Sequence, residues 1–552
     1  MLERPAALRA IKIAFFLRHN QRRQKGGTVL RFRAALRLSA IVSLAVVPAI
    51  STFNLTYAAV PQGQNRLPEQ AGNDGAKASA IGNRRVAVGY EAALDIARKE
   101  CDSLGCNCQT PGSDCTKMPK DVDYDACFKQ SGEMAIIACT RSIASGRYDG
   151  SGLAALYNNR GIEYNAKGDY DDAIADYDHA IKLDPKYALA YNNRGQTYAA
   201  KSNYDRAIAD YSKAILIDAL PKSPVHINVY DNRGQAYAAK GDYEHAIADY
   251  SEAIRIDPKY ALGYNNRGIV YAARDDFDRA IADYSQAIHI DPKNALVLNN
   301  RGQAYATKGD YERAIADYSQ AIRINPLPAS VTHINVYDNR GLAHAASGRY
   351  DDAIADYDEA IRIDPNYALA YKTRGDAFAA KGDYERANTD YSQAIELNPK
   401  DAAVYFNRGL DEFYVGAFAR ALADLNQTRE LSPKDAYAAL WLDVADKHSN
   451  LPSRLSEAIS QFDMTKWPAP VVRLYLGETT PEAVLAAADD PRPETKKGQV
   501  CEANFFIGEL ALQQGAKDEA AQLFRFAASN CPKDYVQLDA AVAELKALGA
   551  NP

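Results

Sequence analysis

A two-residue step, arginine followed by glycine, recurs eight times in this chain, and its spacing leaves few folds open. Gly161, Gly195, Gly234, Gly268, Gly302, Gly341, Gly375 and Gly409 each follow an arginine, at intervals of 34, 39, 34, 34, 39, 34 and 34 residues. A fixed period of that size marks an array of small units, none of which can bury its own apolar face alone. A longer period of 107 residues links every third copy, as from Gly161 to Gly268 and from Gly302 to Gly409. The 39-residue steps carry five extra residues, within 220–229 and 327–336, and both stretches run into the same His-Ile-Asn-Val-Tyr, ending at Tyr230 and Tyr337. They read as lengthened inter-repeat loops, serving either as spacers that set the pitch of the array or as a contact site repeated along it.

One unit predicts a helix pair. Tyr191, Gly195 and Tyr198 fall on one helical face, a turn follows at 201–203, and Ala207, Ile208, Tyr211, Ala214 and Ile215 form a second stripe at three- and four-residue steps. In most copies the turn reads Gly-Asp-Tyr, as at 168–170: glycine suits the left-handed residue that closes one helix, and aspartate caps the next. Asp184-Pro185 stops the second helix, because the residue before proline avoids helical geometry. Gly195 opposite Ala207 lets the two helices cross closely. Tyr191, Gly195, Tyr198, Ala207, Tyr211 and Ala214, with Pro185 closing the preceding copy, stand where the tetratricopeptide repeat (TPR) family places its aromatic and small residues, and the chain resembles that family over 154–433 in eight copies. The arginine is a departure, since leucine is common there in the family. The resemblance implies an all-α fold, a right-handed superhelical solenoid of antiparallel helix pairs with helical caps at both ends, whose first helices line a concave face.

The residues flanking each glycine are then the candidate ligand groove: Asn158, Asn192, Gln196, Asp231, Gln235, Asn265, Asn299, Gln303, Asp338 and Lys372. Amides both donate and accept, which suits an extended peptide backbone; the same amides can instead bridge neighbouring repeats. Carboxylate-clamp members of the family hold acidic chaperone tails with lysine and asparagine at these places. Here Lys372 alone is basic, and Asp376 opposes an acidic tail. Each repeated arginine also has an aspartate in the second helix of its pair (Asp176, Asp210, Asp249, Asp283, Asp317, Asp356, Asp390 and Asp424), which predicts a ladder of partly buried ion pairs.

The flanks differ from the array. Residues 1–37 hold ten Lys/Arg against Glu3 alone, 38–50 are apolar and uncharged, and Thr56-Tyr57-Ala58 resembles a cleavage site. That layout predicts a signal peptide or N-terminal anchor over 1–58, with a possible membrane tether through 38–58, and a body outside the cytoplasm. Setting residues 1–37 aside from the chain's 65 basic and 71 acidic residues leaves an excess of 15 acidic ones, which argues against nucleic acid as the ligand. A flexible linker over 59–100 precedes a cysteine-containing helical cap at 101–153. All eight cysteines lie outside the repeats. In an exported chain they read as disulfides rather than metal ligands, with Cys127 and Cys139 stapling the cap. Cys101, Cys106, Cys108 and Cys115 are open in their connectivity. Residues 434–552 predict further helices and a ninth TPR-like pair over 501–532, where Gly508, Ala511, Gly515, Ala520, Phe524 and Ala527 keep the spacing and antiparallel helices bring Cys501 to Cys531. A last helix over 536–548 can cover the end of the array.

Leader, array and tail together are similar to the periplasmic TPR lipoprotein adaptors of Gram-negative bacteria, although no cysteine stands at the cleavage site for a lipid. No phosphate loop, nucleophile elbow or metal-ligand spacing is present, so no catalysis, cofactor or metal is expected. The leading reading is a periplasmic scaffold or adaptor that binds proteins or peptides. The alternatives are a membrane-tethered envelope assembly or biogenesis factor and a carbohydrate or cell-wall binder.

Overall fold

The computed structural model describes residues 122–217, 224–324, 331–532 and 535–551. The leader, the linker and the cysteines Cys101, Cys106, Cys108 and Cys115 lie outside them. Among the described residues every regular element is helical. Contacts divide the chain into two compact units, one ending at Pro292 and the other beginning at Lys293.

The first unit opens with a hairpin of α1 (Val122–Lys129) and α2 (Glu133–Ala144), joined by the Cys127–Cys139 disulfide. Four helix pairs follow: α3 (Gly150–Lys167) with α4 (Tyr170–Leu183), α5 (Ala188–Ala200) with α6 (Tyr204–Ile217), α7 (Pro224–Lys240) with α8 (Tyr243–Ile256), and α9 (Ala261–Ala273) with α10 (Phe277–Ile290). The second unit holds the next four: α11 (Ala295–Thr307) with α12 (Tyr311–Ile324), α13 (Val331–Ala346) with α14 (Tyr350–Ile363), α15 (Ala368–Ala380) with α16 (Tyr384–Leu397), and α17 (Ala402–Tyr414) with α18 (Phe418–Leu431). Within each unit every helix packs on its neighbours in sequence, and first helices of successive repeats touch.

The turns follow the predicted chemistry. Gly168 closes α3 at φ 92°, and its N–H and that of Asp169 return to the carbonyls of Asn165 and Tyr164. Where Ser202 replaces the glycine it takes the same left-handed conformation, at φ 58°. Asp242, Asp276 and Asp383 cap their helices by accepting from the backbone three residues on. At the other end the Asp184 carboxylate accepts from the Lys186 N–H, turning the chain toward the next pair.

In seven of the eight steps the glycine also meets a residue the sequence did not point to, the ring of a second-helix tyrosine: a Cβ at Gly195 would stand 2.7 Å from Cε1 of Tyr211, and Gly161, Gly234, Gly268, Gly302, Gly341 and Gly375 meet their tyrosines in the same way. At Gly375 the carbonyl of Ala387, the counterpart of Ala207, is close as well, at 3.2 Å. Tyr177, Tyr211, Tyr250, Tyr284, Tyr318, Tyr357 and Tyr391 are fully buried. Each ring contributes on the order of 2 kcal/mol by leaving water. This accounts for seven of the chain's 36 tyrosines.

The two insertions are not simply loops. His226 to Tyr230 and Ile334 to Tyr337 are helical, so α7 and α13 run 17 and 16 residues against 13 in the short-step repeats. Val229, Ile334 and Val336 are buried, which gives the added turn its own packing.

Beyond the eighth pair come α19 (Ala436–His448), α20 (Leu455–Ala458) with a 3-10 turn at Ile459–Gln461, α21 (Ala469–Tyr475), α22 (Pro481–Ala487), α23 (Pro493–Gln513), α24 (Lys517–Asn530) and α25 (Val536–Ala547). Phe524 of α24 covers Gly508 of α23 at the spacing Tyr211 uses on Gly195. The α23/α24 pair thus repeats the geometry of the array, with α23 starting eight residues before Cys501. Trp441, Phe505, Phe506 and Phe524 fill the core here. The last helix, α25, rests on α24 and touches α17 and α23, and the Tyr414 hydroxyl donates to the Val536 carbonyl at 3.0 Å.

Candidate functional site

The repeated arginine is spent within the fold. In all eight copies the guanidinium forks onto the aspartate 16 residues later, Nε to one oxygen and Nη2 to the other, with Nη2–Oδ1 distances of 2.6–2.8 Å. The remaining Nη1 reaches back to the second helix of the preceding repeat: to Ser212 from Arg233 at 3.0 Å, to Ser251 from Arg267 at 2.9 Å, to Ser319 from Arg340 at 3.0 Å and to Ser392 from Arg408 at 2.8 Å. Asp178 and Asp358 take that place for Arg194 and Arg374. One side chain therefore ties three helices, and tyrosines such as Tyr191 and Tyr198 flank its plane. Burial pushes the Asp249 and Asp356 carboxyls up in spite of their arginines. On the other side, hydrogen bonds to Asp249 and Asp283 hold the Arg233 and Arg267 guanidiniums up against desolvation, so burial and attraction oppose each other within the pairs.

The amides of the candidate groove form a second ladder. Asn193 donates to Asn158 at 3.0 Å, Asn232 to Asn192 at 3.1 Å, Asn266 to Asp231 at 2.9 Å and Asn339 to Asn299 at 3.0 Å, in each case from one repeat to the one before. Of the two roles open to these amides, the geometry shows the bridging one. Asn158, Asn192, Asp231, Asn265, Asn299, Gln303 and Asp338 are buried. Gln235 donates to Asp231 at 2.7 Å, and Lys372 pairs with Asp376 at 3.5 Å. Gln196 is half-buried on α5.

Two of the carboxylates stand where other repeats have asparagine. Burial pushes Asp231 up to about 6, although Asn266, Gln235 and Tyr260 bond to it. Burial pushes Asp338 up to about 7, against the pull of Lys372 and Thr373.

The first helices leave apolar side chains open alongside polar ones such as Asn228, Asn335 and Lys240. Ile162 is 37 % exposed, Leu262 43 % and Leu369 42 %. Leu262 and Leu369 are 107 residues apart and hold the same place in their repeats. Ile162 follows its glycine at the groove position that Gln196 holds in the next repeat, whereas Leu262 and Leu369 carry no sequence signal, because an isolated leucine on an amphipathic helix looks like core.

The C-terminal helices gather a polar cluster of their own. His448 ends α19 with Nε2 3.0 Å from Glu509 of α23 and 3.6 Å from Glu544 of α25. Nearby in the same core, the buried Glu502 accepts from the Trp467 indole and from the Tyr437 hydroxyl, and burial pushes it up to about 7. Cys501 and Cys531 are bonded, their Cα atoms 5.1 Å apart. Separations of 61 and 35 residues between the members of the His448 cluster carry no motif by which a sequence could mark it.

Family comparison meets this geometry at the same residues. The TPR repeat model matches 161–202, 234–275, 341–379 and 375–410. Two tetratricopeptide repeat models match 188–219, 265–327 and 499–535, the last being the α23/α24 pair. The chain is a TPR protein. Among solved structures this TPR protein is similar to MamA (28 % identity over 30 % of this chain and 93 % of that one, TM-score 0.28). It is also similar to a tetratricopeptide repeat protein from Parabacteroides merdae (19 %, 46 % and 95 %, 0.36). A third is YrrB, described as a TPR protein with an unusual peptide-binding site (23 %, 39 % and 100 %, 0.30). The TPR architecture is that of a protein-interaction scaffold.

Proposed function

We propose that this chain is an exported, non-enzymatic scaffold of the bacterial envelope that holds extended polypeptide segments against the first helices of its repeats. The observation that carries the reading is the division of labour on those helices: arginines and amides are committed within the fold, while Leu262 and Leu369, which hold one place in their repeats, and Ile162 stay open. Apolar side chains that recur at one place of the repeat suit the alternate side chains of an extended segment. Export is supported by the basic, then apolar, N-terminal sequence and by two disulfides, which persist in oxidising compartments.

The test is peptide-array capture by the purified chain and by a Leu262→Lys/Leu369→Lys variant. Both positions are exposed, so the variant folds with stability within about 0.5 kcal/mol of the parent. Capture lost in the variant supports the reading; equal capture sinks it. N-terminal sequencing of the exported form separates a cleaved leader, with a start near Ala59, from a retained tether.

A further inference from the structure

His448, Glu509 and Glu544 come from three helices, α19, α23 and α25, and their ligand atoms lie within 4.8 Å of one another. A tetrahedral ion with bonds of about 2.1 Å to nitrogen and oxygen needs ligand atoms about 3.4 Å apart. The distances from His448 Nε2, 3.0 Å to Glu509 and 3.6 Å to Glu544, bracket that value.

The surroundings are built for a fixed geometry. The imidazole is stacked on Phe418 at 4.8 Å and meets the edge of Phe413 at 5.1 Å, which sets its plane. Glu509 has no solvent exposure, and its Oε1 is buried with no hydrogen-bond partner. Gln513, one turn along the same face of α23, also holds a buried Nε2 with no acceptor, a donor available to a ligating carboxylate. Two ionised carboxylates beside one imidazole would leave excess negative charge in this buried core, an arrangement that takes up either a proton or a cation. Cys501 and Cys531 are joined to each other and do not compete as ligands.

We propose that His448, Glu509 and Glu544 bind a divalent first-row transition ion that clips α25 to α19 and α23 at the end of the array. One nitrogen and two oxygens suit Zn²⁺ and its neighbours rather than Mg²⁺ or Ca²⁺, which take more oxygen ligands. Three protein ligands leave a further position for water.

The experiment uses the full chain with its disulfides intact, stripped by chelator and then titrated with Zn²⁺, alongside His448→Gln and Glu544→Gln. Comparing parent with variants removes any contribution from Cys101, Cys106, Cys108 and Cys115. The parent is expected to take up about one more equivalent than either variant, or to bind it at least ~10–100-fold more tightly, the loss typical when even an outer partner is removed. Its Tm should rise with Zn²⁺ and not with Mg²⁺. Circular dichroism identifies a variant that has failed to fold, and Glu544→Gln, which keeps the side-chain shape, serves if His448→Gln does. Equal uptake by parent and folded variant, including none by either, overturns the proposal and leaves a proton-sharing cluster.

Discussion

Arg267 meets Asp283 through two parallel hydrogen bonds, each 2.8 Å, and the same pair of bonds recurs in every repeat. With Ser251 taking the third nitrogen, the arginine joins its own second helix to the preceding one. A leucine in that place would pack but would hold neither register nor neighbour. Replacing Asp283 with alanine strands a guanidinium that is mostly buried, and about 3–5 kcal/mol of local stability should be lost. Exchanging the charges, Arg267→Asp with Asp283→Arg, should recover part of that loss. Hydrogen exchange across α9 and α10 is the measurement, because an array opens locally as well as globally. No recovery would place the stabilisation elsewhere than in the pair.

Gly195→Ala and Gly409→Ala test the ring contact against its variant form. The first puts a Cβ 2.7 Å from the Tyr211 ring; the second meets Leu425 Cγ at 3.2 Å, a flexible side chain. Overpacking at Gly195 should cost about 1–3 kcal/mol, and Gly409→Ala clearly less. Denaturant melts of the two variants, read with α5/α6 and α17/α18 exchange rates, give the comparison.

Asp338→Asn is expected to change the pH dependence of stability. Burial holds the folded carboxyl at about 7, whereas in the unfolded chain it returns to its ordinary 3.8. The folded state therefore binds the extra proton between those values, and stability falls as pH rises through the window. Asparagine fills this place in other repeats and does not titrate. The variant should match the parent near pH 4 and exceed it near pH 8, by on the order of 2–4 kcal/mol at most. Thermal melts at both pH values read the difference, and an equal gap at each would contradict the assignment. Asp231→Asn should behave alike over a window ending near 6.

Much of this was legible in the residues. Tyr191, Gly195 and Tyr198 against Ala207 and Tyr211 give a helix pair from periodicity alone, and eight aspartates in register with eight arginines predict the ladder. The role of Asn158 or Asn192 was not decidable, because each bonds to a residue 35 or 40 positions away and only the stacking of repeats aligns them. The helical turn at 226–230 was missed because five residues added between repeats read as a longer loop, yet α7 starts at Pro224, a residue tolerated at a helix start, and takes them in. The ring over Gly195 was missed because Tyr211 and Ala207 share one stripe, and which of them covers the glycine depends on how the two helices pack.

The scaffold account rests on which face of the repeats meets polypeptide. A photo-crosslinking residue placed at Leu262 or Leu369, on first helices, and at Asp205, an 82 % exposed side chain on a second helix, tests it in the native cell envelope. The account predicts polypeptide adducts from Leu262 and Leu369 and few from Asp205. Adducts from Asp205 at equal yield, or glycan adducts alone from the two leucine positions, would contradict it.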